Sequence, residues 1–316
     1  MTVRKIDKMR KEVGEAILSL VILASIIAFG LMLSGEAAEY VKEGFSLALG
    51  SVIPSSFPFM ILSDLYVAYG KPENIALLRS VFTKLTGMPH IALSPFICGN
   101  VGGFPIGAKM ASAYYTSGAL KRDDAERLMA LSNNPSSAFI VGGVGMGIYG
   151  DISIGFSLLI SVYLSVLICA LLTRSKTCKN YFSNNNIKQN YDFISSVKTN
   201  GISCISIISF ISLFSAGIGI IKKRVKYTPL LYVFLAFSEV TNAIKYFNIS
   251  LQKAPLFSLT LSAFSLGFGG VCVGMQSAFF AKEAGLKMKK YYLIKLLQGL
   301  ICGSIFSLIY NIKKQL

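Results

Sequence analysis

Long apolar segments that contain no Asp, Glu, Lys or Arg alternate along the chain with short charged segments. Seven of them are long, at 16–35, 44–63, 85–108, 132–150, 152–173, 201–221 and 254–281, and a shorter eighth covers 296–312. A helix needs roughly 20 mainly apolar residues to cross a hydrocarbon core of about 30 Å. The pattern therefore predicts an all-α polytopic membrane protein, with the first segment retained as a helix instead of being cleaved as a signal peptide.

Composition agrees with residence in a bilayer. Hydrophobic residues make up 53% of the chain and charged residues 15%, against about 25% charged in a soluble domain. The net charge of +16 comes largely from bases between the apolar segments, so anionic lipid headgroups are the expected partner and nucleic acid is not. Five bases against three acids precede the first segment, which predicts a cytoplasmic N-terminus in the bacterial cell membrane.

A glycine-rich motif occurs twice. The segment Gly102–Lys109 recurs in outline at Gly269–Gln276, and the same offset superposes Gly118 on Gly285. We therefore predict an N-terminal tail and first helix at 1–43, a first repeat at 44–173 and a second, degenerate repeat at 193–316. The basic, Asn-rich stretch 174–192 is the expected cytoplasmic linker between the repeats.

Each repeat also has an apolar segment before its glycine motif. The first, 44–63, contains Pro54 and Pro58, and the second is 201–221. The flanking charges favour two re-entrant hairpins that enter the membrane from opposite sides. Two halves related in this way form an inverted-topology repeat, which in secondary transporters places the substrate at the repeat interface.

The glycine motifs and a nearby amide pair are the candidate site. Close glycines and a proline disfavour a continuous helix, and unwound backbone at membrane depth is tolerated where it lines a cavity. Each group also has an alternative role. The glycines could permit tight helix packing, the amides could cap a helix, and the lysine could extend to the lipid headgroups. The candidates for substrate binding are Gly102, Gly103, Phe104, Pro105, Gly107, Lys109, Asn133, Asn134, Gly269, Gly270, Gly274 and Gln276.

Other polar segments are assigned no site. The spacing of polar residues in 230–247 predicts an interfacial amphipathic helix, and the mixed charges of 121–127 predict a solvated helical linker. One histidine and six scattered cysteines do not form a metal-binding pattern. We expect no enzyme, no cofactor and no metal, because no catalytic motif is present.

The residues Gly102–Lys109, the turn Asn133-Asn134-Pro135 and the glycine-rich stretch Gly142–Gly147 resemble the YlbJ-type sporulation integral membrane proteins. That resemblance implies membership of the nucleoside recognition or Gate domain proteins, and a multi-pass protein of the bacterial cell membrane that is needed during sporulation. The leading hypothesis is a permease of two inverted repeats for a small polar, nucleoside-like solute. The alternative is a membrane scaffold in a spore-formation complex.

Overall fold

A computed structural model describes residues 35–69, 74–174, 191–225 and 229–315 of the chain. Within these ranges every regular element is helical, which confirms the all-α class. The predicted first membrane span, the N-terminal tail and most of the linker 174–192 lie outside the described residues.

Thirteen α-helices occur in the described ranges. They are α1 (35–47), α2 (Ile53–Tyr69), α3 (Ala76–Thr86), α4 (Leu93–Gly102), α5 (Ile106–Thr116), α6 (Arg122–Ser132), α7 (Ile152–Leu172), α8 (Phe193–Arg224), α9 (Pro229–Ser238), α10 (Val240–Ser250), α11 (Pro255–Phe268), α12 (Gly270–Ala284) and α13 (Lys289–Gln315). Two π-helical segments, Ala48–Val52 and Phe139–Met146, and a 3₁₀ turn at His90–Ala92 complete the order.

Four helical segments of the described chain are long and apolar enough to cross a membrane. They are Ile152–Leu172, Phe193–Arg224, Pro255–Ala284 and Lys289–Gln315. Large apolar side chains such as Leu172, Ile205 and Leu308 are exposed on three of them, as expected of surfaces that face lipid. The chain is therefore a multi-pass membrane protein.

Several helices, including the span Pro255–Ala284, are interrupted and so form pairs of shorter helices. Gly103 separates α4 from α5, Glu239 separates α9 from α10, and Gly269 separates α11 from α12. A fourth interruption follows α6, where residues 133–136 are non-helical before the chain resumes a helical course. Helix breaks are thus a general feature of this fold and occur outside the glycine motifs as well.

The two predicted re-entrant hairpins are wrong. The segment 201–221 lies within α8, which runs unbroken for 32 residues, and 44–63 lies within a helical stretch that covers 35–69. Pro58 is accommodated inside α2, after the π-helical segment Ala48–Val52 changes the hydrogen-bond register. In α8, Gly219 permits close packing instead of a break, because an added Cβ would lie 2.2 Å from the ring of Tyr40.

The interfacial helix predicted at 230–247 is also wrong. That stretch forms two helices, and three of its polar residues at the break, Ser238, Glu239 and Thr241, are buried. The polar spacing therefore marks an interior break and not a solvated face.

The solvated linker predicted at 121–127 is wrong in its second half. Glu126 and Arg127 are each 4% exposed. Glu126 accepts a hydrogen bond from the Lys287 backbone N–H at 3.0 Å, and Arg127 donates to the Thr86 carbonyl at 2.6 Å. Both charges hold α6 against neighbouring segments.

Several landmarks recur at the offset of the glycine motifs. Gly118 and Gly285, the equivalent turn residues, both have positive φ, at 75° and 74°, and the helices that follow begin at Arg122 and Lys289. The correspondence ends beyond that point, because α6 stops at Ser132 whereas α13 continues. The inverted orientation of the two halves stays a prediction.

Candidate functional site

A small cavity lies where three of the helix breaks meet. Its walls come from the α4–α5 break, the break after α6 and the α9–α10 break, with α2, α8 and α12 closing the sides. The lining residues are Val52, Ser56, Gly102, Gly103, Phe104, Pro135, Ser136, Phe139, Ile211, Glu239, Val240, Thr241, Val273 and Gln276. The space open to the centre of a water molecule is about 50 Å³, and because one water needs roughly 10–15 Å³, the cavity has room for a few waters.

Glu239 places a carboxylate in the wall of this cavity. The residue is 4% exposed and caps α10, because its two oxygens accept hydrogen bonds from the backbone N–H groups of Thr241 at 3.0 Å and Asn242 at 2.7 Å. The first N–H groups of a helix have no partner within the helix and favour negative charge. This cap explains how a carboxylate is tolerated in the interior, where its donors among the described residues are backbone N–H groups and not a basic side chain.

The first glycine motif forms the opposite wall. Gly103 ends α4 with φ of 87°, a left-handed conformation that favours glycine, and an added Cβ would lie 2.9 Å from the Ser136 backbone nitrogen. Phe104 follows it into the cavity wall, and the Phe104–Pro105 peptide bond is cis. Gly103 therefore lets the break before α5 contact the break after α6.

The second motif contributes mainly through one side chain. Gln276 of α12 is buried and lines the cavity, where its Nε2 lies 3.5 Å from the Cys272 sulfur. Gly270 has φ of 74°, and an added Cβ would lie 2.8 Å from the Ser238 carbonyl oxygen. The start of α12 is thereby held directly against the residue that precedes Glu239.

Three of the predicted glycines have a structural role outside the cavity wall. An added Cβ on Gly107 would lie 2.5 Å from the Ser132 backbone, and one on Gly274 would lie 2.5 Å from the Tyr292 ring hydroxyl. Gly269 forms the left-handed end of α11 with φ of 87°. The packing role therefore describes Gly107 and Gly274, whereas at Gly269 the backbone conformation requires glycine.

The predicted amides lie in a buried network beside the cavity. Asn133 donates to the Ser277 hydroxyl at 2.8 Å and the Tyr291 hydroxyl at 3.0 Å. Asn134 donates to the Asn100 side-chain oxygen at 2.9 Å. Pro135 has no N–H and restricts the residue before it to extended backbone, which ends α6 at this point and turns both amides inward.

Lys109 belongs to a separate cluster that does not line the cavity. Its amine lies 2.7 Å from the Asp64 carboxylate and 2.8 Å from the Asn200 side-chain oxygen. Ser196 and Asn200 each donate to the other carboxylate oxygen of Asp64, at 2.7 Å and 2.8 Å. We call these four residues the Asp64 cluster, and it joins α2, α5 and α8.

The chain matches a curated protein of sporulation. It is 24% identical, over 86% of its own length, to the sporulation integral membrane protein YlbJ of Bacillus subtilis (strain 168), and the match covers 77% of that protein. This match confirms the resemblance to YlbJ-type proteins. No model of a known protein family matches the chain, and no solved structure matches it. The nucleoside recognition or Gate assignment stays a prediction.

Sequence reasoning missed several polar residues of the interior. Asp64 comes directly after an apolar segment and resembles its polar end, and Lys295 comes directly before another and resembles a basic flank. Gln298 and Asn100 lie within apolar segments, where an isolated amide is itself a signal because a polar group in hydrocarbon needs a partner. That signal would have found both.

Proposed function

We propose that the chain is a carrier of a small polar solute in the cell membrane that acts during sporulation, and that its solute site is the cavity at the meeting of the helix breaks. The observation that carries this proposal is the buried Glu239 carboxylate, which faces a cavity formed by unwound backbone and the Gln276 amide. Unwound segments at membrane depth are typical of transporter sites. The role proposed here is binding and transfer without catalysis.

The size of the cavity indicates what binding requires. Pockets that hold drug-sized ligands measure about 300–1,000 Å³, whereas this one offers about 50 Å³. A nucleoside-sized solute therefore needs the breaks to separate. We propose that the two predicted repeats move relative to one another to admit the solute, as in alternating access.

A liposome uptake assay tests the proposal. Purified protein would be reconstituted and screened against nucleosides and other small polar metabolites, with the thermal shift caused by each compound measured in parallel. We expect uptake of at least one class, and loss of that uptake in Glu239→Gln and Gln276→Leu. The matched control is Glu283→Gln, because Glu283 is an exposed carboxylate on α12 and should leave uptake unchanged.

The outcome also decides between carrier and scaffold. Absence of uptake together with absence of a thermal shift across the panel would contradict the carrier and leave the scaffold. Equal uptake by the wild type and Glu239→Gln would show that the solute passes elsewhere.

A further inference from the structure

Lys295 is a lysine in the interior of the protein whose partners are all neutral oxygen atoms. It lies on α13 and is 0% exposed, so its side chain cannot extend to lipid headgroups. Its amine donates to the Asn133 backbone carbonyl at 3.0 Å, the Asn134 side-chain oxygen at 2.9 Å and the Gln298 side-chain oxygen at 2.9 Å. We call these three oxygens the oxygen cage. Their number equals the number of donors on a charged lysine amine.

The orientation of the amides in the cage follows from backbone contacts. Asn100 donates to the Phe96 carbonyl, so its oxygen faces Asn134. Asn134 donates to that oxygen and to the Leu131 carbonyl, both at 2.9 Å, which directs its own oxygen toward Lys295.

Gln298 completes the chain of amides. Its nitrogen donates to the Asn134 oxygen at 2.6 Å, which leaves its oxygen facing the amine. Reversal of any amide would set two acceptors or two donors against each other. The network therefore presents oxygen, and not nitrogen, to the Lys295 amine.

The charged and titratable groups around Lys295 do not supply an anion within the described residues. On the packed helices α7 and α13, the titratable groups nearest to Lys295 are the thiols and phenols of Cys169, Cys302, Tyr163 and Tyr291. Helix α11 carries no titratable group. The acids of α6 contact other groups, since Asp123 pairs with Lys290, Asp124 with Arg127 and Glu126 with the Lys287 backbone.

Two further features favour a cation at this position. The cage lies at the C-terminal end of α6, where the partial negative charge of the helix dipole stabilises cations. Its ligands are one carbonyl of unwound backbone and two amide oxygens, which are the groups that hold monovalent cations at broken membrane helices.

We propose that the oxygen cage is a monovalent-cation site and that the Lys295 ammonium is its built-in occupant. The ammonium holds the break after α6 in place, and through it the cavity wall at Pro135 and Ser136, without an added ion. The proposal concerns the cage alone and does not depend on whether the chain carries a solute.

Chemical rescue tests the site. Lys295→Ala empties the cage of its occupant, and thermal unfolding in detergent would be followed by circular dichroism in ammonium, methylammonium, sodium, potassium or choline chloride at equal ionic strength. We expect ammonium, methylammonium or an alkali cation to raise the melting temperature of Lys295→Ala by several degrees over choline, which is too large for the cage. The wild type and Lys295→Met, whose cages remain filled by a side chain, should show no such difference. A Lys295→Ala variant that gains nothing from any small cation would overturn the proposal.

A second comparison covers the case in which Lys295→Ala cannot be purified folded. Gln298→Met removes one oxygen of the cage, and its effect would be measured in the wild type and in Lys295→Met. We expect a loss of several degrees in the wild type and a much smaller change in Lys295→Met, because no ammonium is left to solvate. Equal losses in the two backgrounds would contradict the site. Gln252→Met, on an exposed turn, is the control for the substitution itself.

Discussion

Replacement of Gly270 by alanine tests the contact that places Glu239 at the cavity. Gly270 has φ of 74°, and its added Cβ would lie 2.8 Å from the Ser238 carbonyl oxygen and 3.5 Å from the Glu239 Cα. The left-handed conformation costs an L-residue roughly 1–2 kcal/mol, and forcing an atom into a packed site typically costs about 1–3 kcal/mol more. We expect Gly270→Ala to lose about 2–5 kcal/mol of unfolding free energy in total.

Gly285→Ala is the matched control for this prediction. Gly285 has the same φ of 74°, and an added Cβ would meet no atom within 4 Å. It should therefore lose only the conformational part, about 1–2 kcal/mol. Reversible unfolding in mixed detergent and SDS micelles would measure both variants. Equal losses would refute the reasoning, because they would mean that the α9–α10 break does not press against the start of α12.

Three further predictions concern charged side chains. In the Asp64 cluster, a double-mutant cycle of Asp64→Asn and Lys109→Met should give a coupling of about 1–2 kcal/mol in unfolding free energy, because the effects of substitutions at contacting residues are not additive. Additive losses of stability would contradict the ion pair. Arg127→Met should lose about 2–3 kcal/mol, since it removes a buried charge-assisted hydrogen bond to a carbonyl, and a stability equal to the wild type would contradict that bond. The hydrogen bond from Lys223 holds the pKa of Glu36 below its ordinary value. The ion pair therefore stabilises the protein above the ordinary carboxylate pKa, and this stabilisation is lost as pH falls through the lowered value. The melting temperature of Glu36→Gln should decrease less at acid pH than that of the wild type.

The sequence predicted the membrane class and two of the helix breaks well. Hydropathy depends on composition over about 20 residues and is insensitive to local detail, so the spans at α7, α11–α12 and α13 follow directly from it. It also identified the apolar segment of α8, which we interpreted wrongly as a re-entrant hairpin. The breaks at Gly103 and Gly269 were also predictable, because close glycines, joined by a proline in the first motif, change the backbone locally whatever surrounds them.

The two hairpins and the solvated faces were predicted wrongly for a shared reason. A proline or a charged residue fixes only a local preference, whereas its final environment depends on contacts from distant segments. Pro58 remains helical after a π-helical segment, and Glu126 is buried through a contact with Lys287. Glu239 resembled a surface residue because its partners are backbone N–H groups, which leave no mark in the side-chain pattern.

Two interior ionisable residues of the described chain, Glu239 and Lys295, bear on the choice between carrier and scaffold. A scaffold gains nothing from a buried carboxylate or ammonium, since apolar residues of similar volume fill such sites at equal or better stability. Glu239 is held by the N-terminus of α10 and Lys295 by neutral oxygens, so neither is neutralised by the other or by an adjacent ion pair. Glu239 lies in the cavity wall itself, whereas Lys295 contacts the break after α6 that supplies Pro135 and Ser136 to the same wall. The two groups therefore bear on the proposed solute site in different ways, Glu239 directly and Lys295 through the position of that break.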